Sequence, residues 1–223
     1  MQLSNHTSGL FSVNCEELVP PLIIFDSAAE NPENRSLSKR LVKELPLVTC
    51  SYGRESVARR CQVASTPKGG TDGVVYLQYA QHLTALTECS QAKPLALLSD
   101  DGPGHKTLKV LEHFVQHSVH VMPGPPNLTH IGQTLDMLFG TLKHHTCTNV
   151  ALVQESKVDE VTGMPRALEV ADVGLILSKP KDGSSGGPLV DTFTKSNIES
   201  AWKKVSSHLF LGWKTHERVS PTL

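Results

Sequence analysis

Two aspartates have the spacing in this chain that most invites chemistry. Asp100 closes the apolar run Pro94-Leu95-Ala96-Leu97-Leu98-Ser99, and Asp136 stands near the head of an apolar helical stripe, with residues 101 to 135 between them. Brought together, two carboxylates supply hard oxygen ligands for Mg²⁺ or Mn²⁺. Two such ions about 3.5–4 Å apart can stabilise the attacking and leaving oxygens of a phosphoryl transfer. A plainer reading stands beside this one. An Asp after a strand commonly forms a turn or a cap, and one in a helix's first turn suits the helix dipole.

The flanking elements must do the positioning. Residues 94–99 read as a buried strand, stopped by Asp100-Asp101-Gly102-Pro103-Gly104. Leu108, Leu111, Phe114 and Val115 recur at steps of three and four, which predicts a helix with those residues on its core face. Val119 to Met122 reads as a second strand ending at Pro123-Gly124-Pro125-Pro126, and Ile131, Leu135, Leu138, Phe139 and Leu142 predict a further helix. This order predicts parallel strands joined by a right-handed crossover. Sites in open α/β sheets form at the carboxyl edge, where Asp100 lies.

This stretch resembles the catalytic core of the DDE superfamily endonucleases, the transposase group of pogo-, jerky- and centromere-protein-B-like proteins. The matching residues are Asp100 with His105 five positions on, Pro125-Pro126-Asn127-Leu128-Thr129-His130, Gln133, Asp136, and Phe139-Gly140-Thr141-Leu142-Lys143. The thirty-five residues between the two Asp match the family's interval between its last two acids. The resemblance implies an α/β, ribonuclease-H-like mixed sheet with flanking helices, over residues 1–223 as one domain. It implies metal-dependent DNA cleavage and strand transfer, with Asp100 and Asp136 as catalytic ligands of Mg²⁺ or Mn²⁺. His105, Thr129, His130, Gln133 and Lys143 would support the acids or lie near DNA. DNA is the implied partner and the nucleus the implied location.

Residues 1 to 25 predict two strands joined by the polar turn Asn14-Cys15-Glu16-Glu17, with Pro20-Pro21 early in the second. The resemblance makes these the second and third strands of the fold. The first strand, which carries the family's first catalytic Asp, is then expected to be missing from this chain. Asp26 is read as a turn or cap residue rather than a substitute for that acid. Cleavage by the chain alone is therefore expected to be weak or absent. The alternative function is a catalytically inactive DNA-binding or protein-interaction remnant of a transposon.

Composition sets limits on partners. The 223 residues carry 21 basic and 22 acidic side chains, so the chain as a whole is not a strongly basic DNA-binding domain. Five dispersed Cys without a CxxC pair argue for reduced thiols in an intracellular chain, and against a disulfide framework or a zinc finger. Neither a membrane span nor a signal-peptide pattern is expected.

The rest of the chain frames the centre. Ser36 to Glu44 predicts a short basic helix, and Arg54, Arg59, Arg60 and Lys68 add positive charge that reads as a phosphate-tracking surface or a solvated face. The 66–73 loop lacks the Gly-Lys-Ser/Thr ending of a phosphate loop. Val74 to Leu86 reads as a helix. Thr194 to Trp202 resembles the family's closing helix, extending to about residue 208, with Ser196 as its cap and Ile198, Ala201, Trp202 and Val205 facing the core. Two rival sites stay weak. Neighbouring His144 and His145 point about 100° apart and cannot easily share a zinc ion. Ser99, Asp100 and His105 lack the Gly-x-Ser-x-Gly elbow of a hydrolase.

Overall fold

The computed structural model describes residues 2–4, 7–14, 17–26, 47–50, 57–100, 102, 104–123, 134–165, 167–168, 172–178 and 187–216. The basic helix expected over Ser36–Glu44 and the residues Thr129, His130 and Gln133 fall outside these ranges.

Strand β3 (Leu18–Asp26) is the centre of the architecture, and every residue from Leu18 to Phe25 is buried. It pairs antiparallel with β2 (Thr7–Val13) on one side and parallel with β6 (Gln62–Thr66) on the other. The tandem Pro20-Pro21, which has no N–H to give, falls where two demands relax. The β2 ladder shifts register between Leu10 and Ser12, and pairing with β6 starts only at Leu22. A short β1 (Gln2–Ser4), not foreseen from the sequence, lies against β2 at Thr7 and Ser8. The sheet order is β1-β2-β3-β6, and β4 (Leu47–Cys50) with β5 (Val57–Arg60) forms a separate antiparallel pair.

Alternation along β3 sends side chains into two cores, one on each side of the sheet. Leu22 and Ile24 meet Val75, Tyr76, Tyr79 and Ala80 of α1 (Gly73–Thr87), with Val110 and Phe114 of α2 (Leu108–Gln116). Ile23 and Phe25 meet Leu138 and Leu142 of α3 (Thr134–Glu155). That second core also takes residues of α4 (Val173–Leu177), α5 (Pro188–Thr192) and α6 (Lys195–His216). The result is a mixed α/β architecture, a small mixed sheet with flanking helices.

The expected strand–helix–strand unit is present. β7 (Leu95–Ser99), α2 and β8 (Val119–Pro123) follow in order, and β7 and β8 pair in parallel from Leu95↔Val119 to Ser99↔Pro123. The two form their own sheet. Leu95 and Leu97 nevertheless pack on the same clusters as Val19, Leu22 and Ile24 of β3, so the two sheets share one core.

Several local expectations need correction. On α2 the buried residues are Val110 and Phe114, whereas Leu108, Leu111 and Val115 are exposed. Helix α6 reaches His216 rather than stopping near 208. Ser196 lies inside α6. The helix is capped by Thr194, whose Oγ1 accepts from the Asn197 N–H at 3.2 Å. Ile198, Ala201 and Val205 are buried as expected, and the half-buried Trp202 anchors its Nε1 on the Asn14 carbonyl at 2.7 Å. Among the described residues, no helix is long and apolar enough to cross a membrane.

Candidate functional site

Asp100 follows the last residue of β7 directly, at the carboxyl end of a parallel strand pair. The chain then turns back through Gly102 and Gly104 toward the start of α2. Both glycines are required by close approach. A Cβ on Gly102 would come within 2.9 Å of the His105 ring, and one on Gly104 within 3.0 Å of the Asp72 backbone. Asp72 in turn caps α1, its Oδ1 accepting from the Val74 and Val75 N–H groups at 2.9 Å. The loop is thereby packed against the N-terminus of α1, and His105 is returned to its own strand end.

There His105 and Asp100 meet. His105 Nδ1 is 2.8 Å from Asp100 Oδ1, 3.1 Å from the Asp100 carbonyl and 3.2 Å from Ser99 Oγ. Tyr76 of α1 stacks on the imidazole with ring centroids 3.9 Å apart. The His105 hydrogen bond holds the Asp100 carboxyl below its ordinary range, against desolvation, with further help from the charge of His105 and the Gly102 backbone. Tyr76 shifts the other way. Burial raises its hydroxyl, although a hydrogen bond with Ser99 opposes this, and the charge of Asp100 adds to the rise.

This arrangement is not a hydrolase relay. A Ser-His-Asp triad needs the serine on one ring nitrogen and the carboxylate on the other. Here Ser99 and Asp100 both address Nδ1. The geometry instead fixes the rotamer of a carboxylate whose side chain remains half exposed.

Asp136 sits in the first turn of α3 and is partly buried, and Lys143 is exposed two turns further along. The structure brings Asp100 and His105 together with Ser99 and Tyr76. It places Asp136 on a helix whose core contacts are to the opposite face of the main sheet. Among the described residues, no three His, Cys, Asp or Glu side chains gather into a metal-holding group. The rings of His144 and His145 are 5.8 Å apart at a steep angle, in keeping with side chains that diverge along a helix. Sequence reasoning missed Tyr76. It lies more than twenty residues before His105 on another element, and no periodic signal separates a stacking partner from an ordinary core aromatic.

Neither a family model nor a curated protein matches the chain.

Because the folded carboxyl of Asp100 is depressed, its contribution to stability is complete above the unfolded carboxylate range and disappears as pH falls through the folded value. Asp100→Asn is expected to be less stable than the native chain at pH 7 and pH 5. The gap should begin to narrow below about pH 4, where the unfolded carboxylate itself protonates. Urea midpoints at pH 7, 5 and 3 test this, and a gap at pH 3 as wide as at pH 7 would contradict it.

Proposed function

We propose that this chain is a transposase-derived DDE-type endonuclease domain on a ribonuclease-H-like fold. It would bind DNA, and its ancestral reaction is metal-dependent cleavage and joining of DNA ends. The observation that carries the reading is the place of Asp100. It is a half-exposed carboxylate at the carboxyl end of a parallel strand, oriented by the His five residues on across a glycine turn. Asp136, in the first turn of α3, supports it.

Asp100 and Asp136 are the residues that would hold Mg²⁺ or Mn²⁺, and such an ion supplies neutralisation of charge on the phosphate oxygens. Hard carboxylate oxygens, one of them half exposed, fit that donor chemistry. Two carboxylates suit one weakly held ion better than a two-ion cage, so cleavage by the chain alone is expected to be weak or absent. The protein's own groups have distinct tasks. His105 and Tyr76 hold the Asp100 carboxylate in one rotamer, and exposed Lys143 offers a cation to the DNA backbone.

Calorimetric titration with Mn²⁺ tests the reading. The native chain should bind, and Asp100→Ala and Asp136→Ala should each weaken binding by roughly tenfold or more, at least the effect of losing an outer-shell group. An absence of binding, or binding indifferent to both substitutions, would defeat the metal site and leave the inactive remnant as the better reading.

A further inference from the structure

We propose that the chain pairs with a second copy of itself through the outer edge of β8 and the exposed apolar face of α2. One sheet would then run across a two-fold axis. The inference starts from the backbone of β8. In a parallel ladder, alternate residues turn their N–H and C=O toward a given neighbour. The Leu95 N–H donates to the Ser118 carbonyl at 3.1 Å, so Ser118, His120 and Met122 face β7. Val119 and Val121 therefore direct their backbone groups outward. Among the described residues, no strand pairs with that edge. Two outward residues two positions apart are self-complementary. An antiparallel pairing about an axis at His120 sets Val119 opposite Val121 of the second copy, and Val121 opposite its Val119. Each pair then exchanges both hydrogen bonds. Pro123 ends the edge, because it has no N–H to offer.

The same axis acts on α2. Being normal to the sheet, it keeps both α2 helices on one face and sets them side by side and antiparallel. Leu108, Leu111 and Val115 follow the i, i+3, i+7 rule of a helix–helix seam and are 71%, 41% and 78% exposed. At 100° per residue the stripe lies about half a turn from His113. His113 Nε2 meets Thr84 Oγ1 of α1 at 2.9 Å, so the stripe faces away from α1, on the side where β8 is the outermost strand. The exposed charges Lys109 and Glu112 lie outside the seam.

Size agrees with this occupant. Leu108, Leu111 and Val115, with Val121 at 37% exposure, leave on the order of 400 Å² of apolar surface uncovered, a size that marks interaction sites. Doubled by symmetry and extended by its polar rim, the contact approaches the roughly 1,200 Å² of a small specific interface.

Sedimentation equilibrium on the 223-residue chain tests the proposal. The native chain is expected at twice its 24.2 kDa mass. Val115→Lys and Val121→Pro should each return it to the monomer with an unchanged circular dichroism spectrum. Val115 is largely solvent-facing, and the Val121 N–H points away from β7, so neither change removes a ladder hydrogen bond between β7 and β8. Should Val121→Pro unfold, Val115→Lys and Leu108→Lys decide the matter. A native chain that is monomeric at about 100 μM, a concentration at which even weak specific dimers form, would overturn the proposal and assign the face to a different protein. A dimer that survives the substitutions would overturn it as well.

Discussion

Lys157→Met is expected to destabilise the fold by about 3 kcal/mol, the lower end of what breaking a buried ion pair costs. Lys157 follows the end of α3, and its ammonium contacts the carboxylate of Asp172, which precedes α4 and is 1% exposed. The asymmetry in burial sets the size of the effect. The lysine is one-third exposed and can be rehydrated, whereas the carboxylate stays in the interior without that cation. Asn149 reinforces the same junction, donating to the Ile176 and Ser178 carbonyls at 2.9 and 3.0 Å. Urea denaturation measures the loss. If the buried carboxylate is the cause, Lys157→Met combined with Asp172→Asn should recover a substantial part of it. A single-mutant loss below about 1 kcal/mol, the range of surface pairs, would show that the contact behaves as an exposed one.

The helix α2 shows how far sequence pattern reaches. Leu108, Val110, Leu111, Phe114 and Val115 make an apolar arc wider than one helix buries against one surface. Periodicity establishes the helix but not which half of the arc meets the core. Tertiary contact with Tyr76 and Val119 selects Val110 and Phe114. The strands β2, β3, β7 and β8 were legible for the opposite reason, since short apolar runs bounded by Gly, Pro and Asp leave little choice. Ser196 and Thr194 are both competent caps two residues apart, and only the chain path favours Thr194.

The candidate site divides in the same way. The pairing of Asp100 with His105 is local and its turn is written in Gly102 and Gly104, so spacing alone could suggest it. The stacking of Tyr76 depends on how α1 lies against the loop, which no local pattern encodes. The Lys157–Asp172 pair spans a stretch without periodicity and has no sequence signature at all. The spacing of Asp136 was visible, but where its helix packs, in the core opposite to the one that takes Tyr76 and Val110, is set by tertiary contacts that spacing does not encode.

Leu142→Ala is expected to remove about 3–5 kcal/mol, the upper part of the range for burying no replacement atoms at a large-to-small core site. Leu142 is 0% exposed at the middle of α3, in the core formed with Ile23, Phe25, Leu177, Leu189 and Ile198. That core joins the main sheet to four helices, so neighbours from several elements would have to move together to refill the space, and close-packed interiors resist such collapse. Leu152→Ala on the same helix provides the control. Leu152 is 38% exposed, and alanine favours the helix at least as well as leucine, so its change should stay within about 1 kcal/mol. Comparable losses at the two positions would mean that helix formation, rather than the core against the sheet, governs stability here. A large loss at Leu142 alone would establish α3 as the helix that holds the Asp136 end of the candidate site to the sheet.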